Sequence, residues 1–390
     1  MLAKWSPYEI FVYLYKKLRN YAVMVIEDLA LLFIRGLGSR GIVHLIDHFG
    51  SAEEIYRTPI NTLVQEAGLR KDVAERIAAG DGMREAEQEV KYCQKHNICA
   101  IAATDDDYPE LLREASDRPH VIFVKGNVNA LHKRTLSMVG TRDASPSGLH
   151  VTDKLIGDLA AQIPDLCIVS GLAYGIDSAC HRAALSHKAA TIAVVADTLP
   201  NVSPAPNRNL AEEILRNGGA LVSELHSQSK QNGQLFIARN RIIAALSMGT
   251  IVVESPASGG SLATADIADS YGRTLMAVPG RITDTTSFGS NNLIRTGKAR
   301  MILTAADIIE ELGWTPAHET FTESDDSPCL DGLSPAERLV YDAFNTAETL
   351  DWAQLTATTG LTMGELAIVV MDLELKGFIR CLAGKRYERT

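Results

Sequence analysis

The sequence predicts an α/β protein with a doubly wound, mostly parallel sheet, preceded by a helical domain and followed by a smaller domain of three helices and a β-hairpin. Three observations support this architecture. An amphipathic helical period fills the first 80 residues, short apolar runs alternate with helical periods from Leu136 onward, and a proline-bearing acidic stretch separates this region from the last 60 residues.

The N-terminal region reads as two helix-hairpin-helix units. An apolar stripe through Leu29, Leu32 and Phe33 stops at a Gly-Leu-Gly break, residues 36–38, and resumes behind it; a weaker break follows at residues 67–69. Such hairpins can present backbone amides to a phosphate. A helical module that only packs against its neighbours is the alternative, and the shortness of the Gly-Leu-Gly signal favours it.

The middle region carries the βαβ pattern, because each apolar run ends at Gly, Ser or Pro and leads into a helical period. Several runs are apolar on both faces, as strands buried in a parallel sheet must be. The predicted strands are residues 136–139, 166–169, 191–195, 220–222, 250–253, 274–278 and 299–303, with upstream candidates at 100–103 and 121–124. In such a sheet, ligands bind beyond the carboxyl ends of the strands.

The C-terminal region begins after an acidic linker. Residues 304–330 hold seven acidic residues and neither Lys nor Arg, which is typical of a solvated segment. Ser334 and Pro335 then form a helix start, helices are predicted at 355–359 and 363–375, and two short strands flank Gly384. This order is that of a winged helix.

Composition excludes several protein classes. The 390 residues are 46% apolar and 22% charged, which excludes collagen, coiled coils and wholesale disorder. No stretch reaches the ~20 apolar residues of a membrane span, and no secretion signal is apparent, so we expect a cytoplasmic protein without a membrane partner. The six cysteines form no CxxC pair and no zinc spacing, which predicts reduced thiols and no metal.

The net charge of -10 argues at first against a polyanionic partner, but the acid is unevenly distributed. Residues 136–303 carry 14 Lys and Arg against 13 Asp and Glu, so the excess acid lies outside the middle region. Residues 331–390 carry six basic and nine acidic residues, with the basic ones clustered near the predicted wing. DNA contact and protein contact by this last domain both stay open.

Four polar, glycine-bearing loops follow predicted strands and precede predicted helices. Glycine lets backbone amides approach an anion, and the helix N-terminus adds about half a positive charge. A row of such loops beside Arg142 suits a polynucleotide backbone better than a single nucleotide. Sharp strand-to-helix turns need glycine in any case, so one loop alone does not distinguish the two roles. The loops are residues 140–142, 170–175, 255–261, and 279–280 with 289–292.

The segment 236–243 adds an aromatic ring and two guanidinium groups. Phe236 beside Arg239 and Arg241 suits a base stacked over a clamped phosphate. The alternative for Arg239 is an internal pair with Glu224 or Glu254, since a buried arginine needs such a partner.

Asp177 and His181 share one helix face at a spacing that would permit acid–base chemistry. No Ser or Cys nucleophile is linked to them, so we predict that Asp177 caps its helix and His181 fills a polar niche. There is no HExxH, no Walker lysine and no dinucleotide GxGxxG, which disfavours hydride transfer and NTP hydrolysis. No catalytic residue and no cofactor are predicted.

Several motifs in one order resemble the DNA-processing protein A family, also called Smf. They are MVGTR, SGLAYGIDSACHRAAL, PNRNLAEEIL, RNRIIAALS, VVESPASGGSLATADIADSYGR, AVPGR and GSNNLIRTGKA. The resemblance implies a Rossmann-like core that forms a homodimer, binds and protects single-stranded DNA, and loads the RecA recombinase onto it in natural transformation. It does not imply an enzyme.

Carried over by motif, the family's DNA-binding pocket falls on the glycine loops, on Arg142 and on the wall around Phe236. Three positions depart from the family pattern: Gly233 and Ile237 stand where many relatives have Lys and Pro, and Tyr174 replaces Arg or Lys. We therefore expect weaker, less salt-dependent binding. The predicted DNA-binding residues are Gly140, Thr141, Arg142, Ser170, Gly171, Ala173, Tyr174, Gly175, Phe236, Arg239, Asn240, Arg241, Ser258, Gly259, Gly260, Ser261, Asn291 and Asn292.

The predicted domain boundaries follow from these patterns: a SAM- or helix-hairpin-helix-like domain at 1–90, an extended Rossmann-like DNA-binding domain at 91–315, an acidic linker at 316–330 and a winged helix at 331–390.

Two other functions stay open. The loop after Glu254 resembles the PGGxGT loop of nucleoside-phosphate phosphoribohydrolases, in which a carboxylate would stabilise positive charge at the glycosidic carbon, although Ser258 and Ser261 disturb that motif. Alternatively, the middle domain binds nothing and the terminal helical modules act as a protein-interaction scaffold.

Overall fold

The computed structural model describes residues 26–316, 333–344, 349–376, 378–382 and 386–389. It divides into two compact units, Met1–Ala317 and His318–Thr390. No helix among the described residues is long and apolar enough to cross a membrane.

From residue 26, where the described part of the first unit starts, six helices precede the sheet. They are α1 (Ile26–Leu31), α2 (Ser39–Phe49), α3 (Ala52–Arg57), α4 (Ile60–Gln65), α5 (Lys71–Ala78) and α6 (Met83–His96). The chain turns at Gly36, whose φ of 90° favours glycine, and α2 then buries Ile42, Leu45 and Ile46 in a small helical core. The N-terminal helical prediction is confirmed for the described residues.

A nine-stranded sheet follows these helices. Its strands are β1 (Cys99–Ala102), β2 (Val121–Gly126), β3 (Arg134–Val139), β4 (Leu166–Ser170), β5 (Ala190–Val194), β6 (Ala220–Ser223), β7 (Gly249–Val252), β8 (Thr274–Ala277) and β9 (Arg300–Met301). The order across the sheet is β1-β2-β6-β5-β4-β3-β7-β8-β9. All pairs from β6 to β9 are parallel, whereas β1 and β2 pair antiparallel with their neighbours.

Helices cover both faces of this sheet. They are α7 (Glu110–Arg113), α8 (Pro146–Gln162), α9 (Ile176–Ser186), α10 (Arg208–Arg216), α11 (Leu235–Ala238), α12 (Asn240–Ala245), α13 (Gly260–Ser270), α14 (Phe288–Arg295) and α15 (Ala305–Glu311). Side chains alternate along β3, so Leu136 and Met138 enter one core while Val139 enters the other. The predicted doubly wound, mostly parallel sheet is confirmed.

The chain reverses its direction of winding at β3. It proceeds from β3 through β4 and β5 to β6 on one side, then returns to place β7, β8 and β9 on the other. In a doubly wound sheet this reversal opens a crevice beyond the carboxyl ends of the central strands. Here the crevice is bordered by the loops that leave β3, β4 and β7.

The second unit is a winged helix. It contains α16 (Pro335–Ala343), β10 (Thr349–Asp351), α17 (Trp352–Thr359), α18 (Met363–Leu375), β11 (Ile379–Leu382) and β12 (Arg386–Arg389), with strand order β10-β12-β11. Ser334 caps the start of α16, as the sequence pattern predicted, and Glu337 completes a reciprocal capping box there. Of the predicted acidic linker at 316–330, only residue 316 is described. The preceding part of the acidic stretch, which the sequence suggested to be a solvated segment, contains α15 instead.

Candidate nucleic-acid interface

A cavity of about 810 Å³ lies beyond the carboxyl end of β3, where the chain reverses its direction of winding (the sheet reversal). The loops after β3, β4 and β7 form three of its walls, and α11 with the start of α12 forms a fourth. The predicted residues found in its lining are Gly140, Thr141, Arg142, Gly171, Ala173, Tyr174, Phe236, Arg239, Asn240, Ser258, Gly259, Gly260 and Ser261. The structure therefore brings together residues that are more than 100 positions apart in the chain.

Two of the predicted residues outside this lining have internal partners instead. Ser170 is fully buried, and its hydroxyl donates to the carbonyl oxygen of Met138 at 2.7 Å. Arg241 forms a partly buried ion pair with Glu224. The guanidinium of Arg241 is thus occupied within the protein.

The fourth glycine-bearing loop follows β8, which is next to β7, so the predicted row of four neighbouring loops is present along the sheet edge. This loop does not reach the cavity lining, however. Asn291 accepts from the N–H of Gly280 at 2.9 Å and donates to its carbonyl oxygen at 3.0 Å, which closes the loop on itself. Asn292 accepts from Arg295 and lines a separate recess.

Arg142 occupies the mouth of the cavity as an exposed side chain. Within the described parts of the chain, no carboxylate pairs with its guanidinium. Burial lowers the pKa of Arg239, and the positive charge of Arg142 lowers it further. Arg142 is therefore available to an anionic ligand.

Arg239 forms the floor of the cavity and is only 6% exposed. Its guanidinium donates to the carbonyl oxygens of Gly171, at 2.7 Å, and Val194. The alternative of an internal role for Arg239 holds for its burial but not for its partner: Glu224 pairs with Arg241. Glu254 accepts hydrogen bonds from Ser145 and Thr286. The carbonyl oxygens of Gly171 and Val194 carry no net charge. The negative charge that acts most strongly on the Arg239 guanidinium is that of Asp177.

Asp177 and Arg239 are buried opposite charges beneath the loop after β4, which interact electrostatically without forming a direct salt bridge. A Cβ placed on Gly171 would lie 2.6 Å from the Asp177 carboxylate and 2.7 Å from the Arg239 guanidinium, so both groups converge on that glycine. Burial raises the pKa of Asp177, and the charge of Arg239 opposes this rise. The predicted capping role is wrong, because no side chain caps the N-terminus of α9: Asp177 instead accepts from the N–H of Ala173 at 3.4 Å, upstream of the helix.

Asn207, which was not among the residues predicted from the sequence, also holds the loop after β4 in place. Leu172 adopts a left-handed backbone conformation, with φ of 57°, which is unfavourable for a non-glycine residue. The side-chain amide of Asn207 donates to the carbonyl oxygens of Leu172, at 2.8 Å, and Ala173, at 3.4 Å. Asn207 belongs to the PNRNLAEEIL motif, which was the available signal.

Glycines around the cavity fall into two groups. At Gly140 and Gly175 an added Cβ would lie within 2.5 Å of neighbouring protein atoms, so these residues permit close packing between loops. At Gly259 and Gly260 the nearest atoms would be 3.8 and 3.9 Å away. These two glycines, where the loop after β7 meets α13, leave open space that a ligand backbone can enter.

His181 fills a buried polar niche, as predicted. Its Nδ1 lies 2.7 Å from the Thr191 hydroxyl, which itself donates to the carbonyl oxygen of Ile168. Burial, with the charges of Arg239 and Arg182, lowers the pKa of His181 to about 3. This imidazole is neutral near pH 7 and does not line the cavity, so it forms no solvent-accessible acid–base pair with Asp177.

Glu254, the carboxylate that the phosphoribohydrolase alternative requires, is buried behind the cavity wall. It accepts from the N–H of Ser145 at 2.9 Å and from the Thr286 hydroxyl at 2.6 Å. Both oxygens are occupied by the protein, which disfavours contact with a ribose. Among the described residues, no group of three or more His, Cys, Asp or Glu side chains could hold a metal ion.

Two basic residues near the wing of the second unit form ion pairs with local carboxylates. Lys376 pairs with Glu337 at 2.6 Å, and Arg380 pairs with Glu388. Helix α18, in the position of a recognition helix, instead exposes apolar side chains, namely Met363, Ile368 and Met371. This surface favours protein contact over phosphate contact for the winged helix.

Comparison with known proteins gives a consistent result. The family model "DNA recombination-mediator protein A" matches residues 99–313, and the model "DprA winged helix domain" matches residues 325–385. The chain is 30% identical over 360 residues to a putative DNA processing protein DprA of Mycobacterium tuberculosis, covering 88% of each chain. It is 32% identical over 327 residues to the protein Smf of Escherichia coli, covering 83% of this chain and 85% of that one.

The X-ray structure of DNA processing protein A from Streptococcus pneumoniae superimposes with a TM-score of 0.65 at 30% identity, covering 74% of this chain and 99% of that one.

Proposed function

The chain belongs to the DNA recombination-mediator protein A (DprA) family, and on that basis we propose that it binds single-stranded DNA in the cavity at the sheet reversal, without catalysis. The observation that carries the proposal is an exposed arginine, Arg142, that lacks a described carboxylate partner and stands beside open glycine loops. A phosphate placed there would meet a guanidinium and backbone amides together.

Two aromatic side chains supply the second element of a single-strand site. Tyr174 is 47% exposed and Phe236 is half-buried, and both line the cavity. Every nucleobase has a flat π face, so stacking on such rings is tolerant of sequence. Binding with little sequence preference follows from this arrangement.

The finer biological role rests on family membership. We propose that the protein protects incoming DNA, loads the RecA recombinase onto it during natural transformation, and acts as a homodimer in the cytoplasm. The domain boundaries predicted from the sequence are part of the same proposal. The apolar face of α18 supports a protein-binding role for the winged helix within it.

The departures at Gly233 and Ile237 bear on the expected strength of binding. Gly233 lines the cavity, and an added Cβ there would have no atom within 4 Å, so the position is open at the point where a lysine side chain would start. One cation fewer on this wall implies a shallower dependence of affinity on salt.

Replacing Arg142 with Ala is expected to weaken oligonucleotide binding by about 10- to 150-fold, since charge-assisted hydrogen bonds contribute about 1.5–3 kcal/mol. In a fluorescence titration over a salt series, the slope of log affinity against log salt should also become shallower by ~0.7 for each phosphate that the variant no longer neutralises. The matched control is Arg216→Ala, an exposed arginine on α10 outside the cavity, which should bind like wild type. Unchanged affinity and slope for Arg142→Ala would remove Arg142 from the site.

A further inference from the structure

A second recess, of about 440 Å³, lies across the loop after β7 from the main cavity. Its walls come from that loop, from α13 and from α14, and its size is within the range of small-molecule pockets. Four of its side chains matter for its chemistry: Leu262, Asp266, Phe288 and Lys298.

The recess and the main cavity share one thin wall. Ala257 lines the recess, and the next residue, Ser258, lines the cavity. Consecutive Cα atoms are only about 3.8 Å apart, which is less than the spacing of neighbouring nucleotides in an extended strand. A strand that leaves the cavity over this loop therefore passes directly to the recess.

The recess suits an uncharged ring better than a phosphate. Asp266 and Lys298 form an ion pair at 3.1 Å, so their charges compensate each other. Phe288 is 43% exposed and borders the recess together with the aliphatic Leu262. A half-exposed aromatic face in a charge-balanced hollow is the chemistry that stacks a nucleobase.

We propose that this recess is a second base-binding subsite, in which a nucleobase of the same single strand stacks on Phe288. The inference rests on the proposed function, because the strand must first occupy the main cavity. It adds Phe288 to the DNA-binding residues and gives the predicted residue Asn292, which lines the same recess, a place in the interface.

The test is a titration of wild type and Phe288→Ala with oligothymidylates of increasing length. Both proteins should bind the shortest oligonucleotides equally, and Phe288→Ala should bind about 5- to 150-fold more weakly once the strand is long enough to reach the recess. The salt dependence should be unchanged, because Phe288 neutralises no phosphate. Phe288→Trp should restore affinity, and Ile282→Ala, at an 88% exposed apolar residue outside the recess, is the matched control.

Three results would overturn the subsite: equal binding by Phe288→Ala at every length, equally weakened binding at every length together with a lower melting temperature, or a change of oligomeric state in light scattering at unaltered affinity. The last result would assign the recess to a second copy of the chain. If wild type binds oligonucleotides and Arg142→Ala weakens binding while Phe288→Ala does not, only the subsite fails. If wild type binds none, the proposed function fails as well.

Discussion

Arg239→Met is expected to lower the free energy of unfolding by about 3–5 kcal/mol, the usual cost of leaving a buried charge without compensation. The substitution leaves the Asp177 carboxylate buried without its cation, and it removes the donor to the carbonyl oxygens of Gly171 and Val194. Urea denaturation followed by circular dichroism measures the change. The matched control is Arg142→Met in the same cavity, which should stay within about 0.5 kcal/mol of wild type because Arg142 is exposed.

A double-mutant cycle identifies the cause of the Arg239 effect. Combining Arg239→Met with Asp177→Asn removes the uncompensated charge, so the double variant should be more stable than the sum of the single effects predicts. Strict additivity, or an Arg239→Met protein as stable as wild type, would show that the two groups do not depend on each other.

Gly175→Ala is expected to lower stability by about 2–6 kcal/mol and to weaken oligonucleotide binding at the same time. Gly175 has φ of 70°, and an added Cβ would lie 2.2 Å from the carbonyl oxygen of Thr141 and 2.6 Å from the backbone of Arg142. Backbone strain and overpacking each cost about 1–3 kcal/mol. Relief of the overlap requires the loop that carries Arg142 to move away from its observed position.

The control for Gly175→Ala is Gly260→Ala, where the nearest atom to the added Cβ would be 3.9 Å away. Its stability should stay within about 1 kcal/mol of wild type, because a helical Ala is tolerated where space exists. Equal stability of the two variants would rule out close packing between loops as the role of Gly175.

The sheet was largely predictable from the sequence because buried parallel strands appear as continuous apolar runs bounded by Gly, Ser or Pro. The predicted run 166–169, for example, became β4 (Leu166–Ser170). The antiparallel direction of β1 and β2 was not predictable, because strand direction depends on chain crossings rather than on local composition.

The site was predictable only in part, for geometric reasons. Loops after parallel strands must meet at one edge, which placed Arg142 near the glycines. Arg239 and Arg241 are two residues apart and have the same chemistry. The sequence could not predict which of them pairs with Glu224, because this depends on where α12 starts. The contribution of Asn207 arises from a contact 35 residues away, with the Leu172 carbonyl oxygen, which no local pattern encodes.

Binding of a single strand at the sheet reversal can be located by photo-crosslinking the full chain to an iodouridine-substituted oligonucleotide and identifying the linked peptides by mass spectrometry. We expect crosslinks in the loops that line the cavity, around Tyr174 and Phe236, and weaker labelling when Arg142 is replaced with Ala. Crosslinks confined to the winged helix or to the N-terminal helices, with the cavity peptides unlabelled, would show that the strand lies elsewhere on the protein.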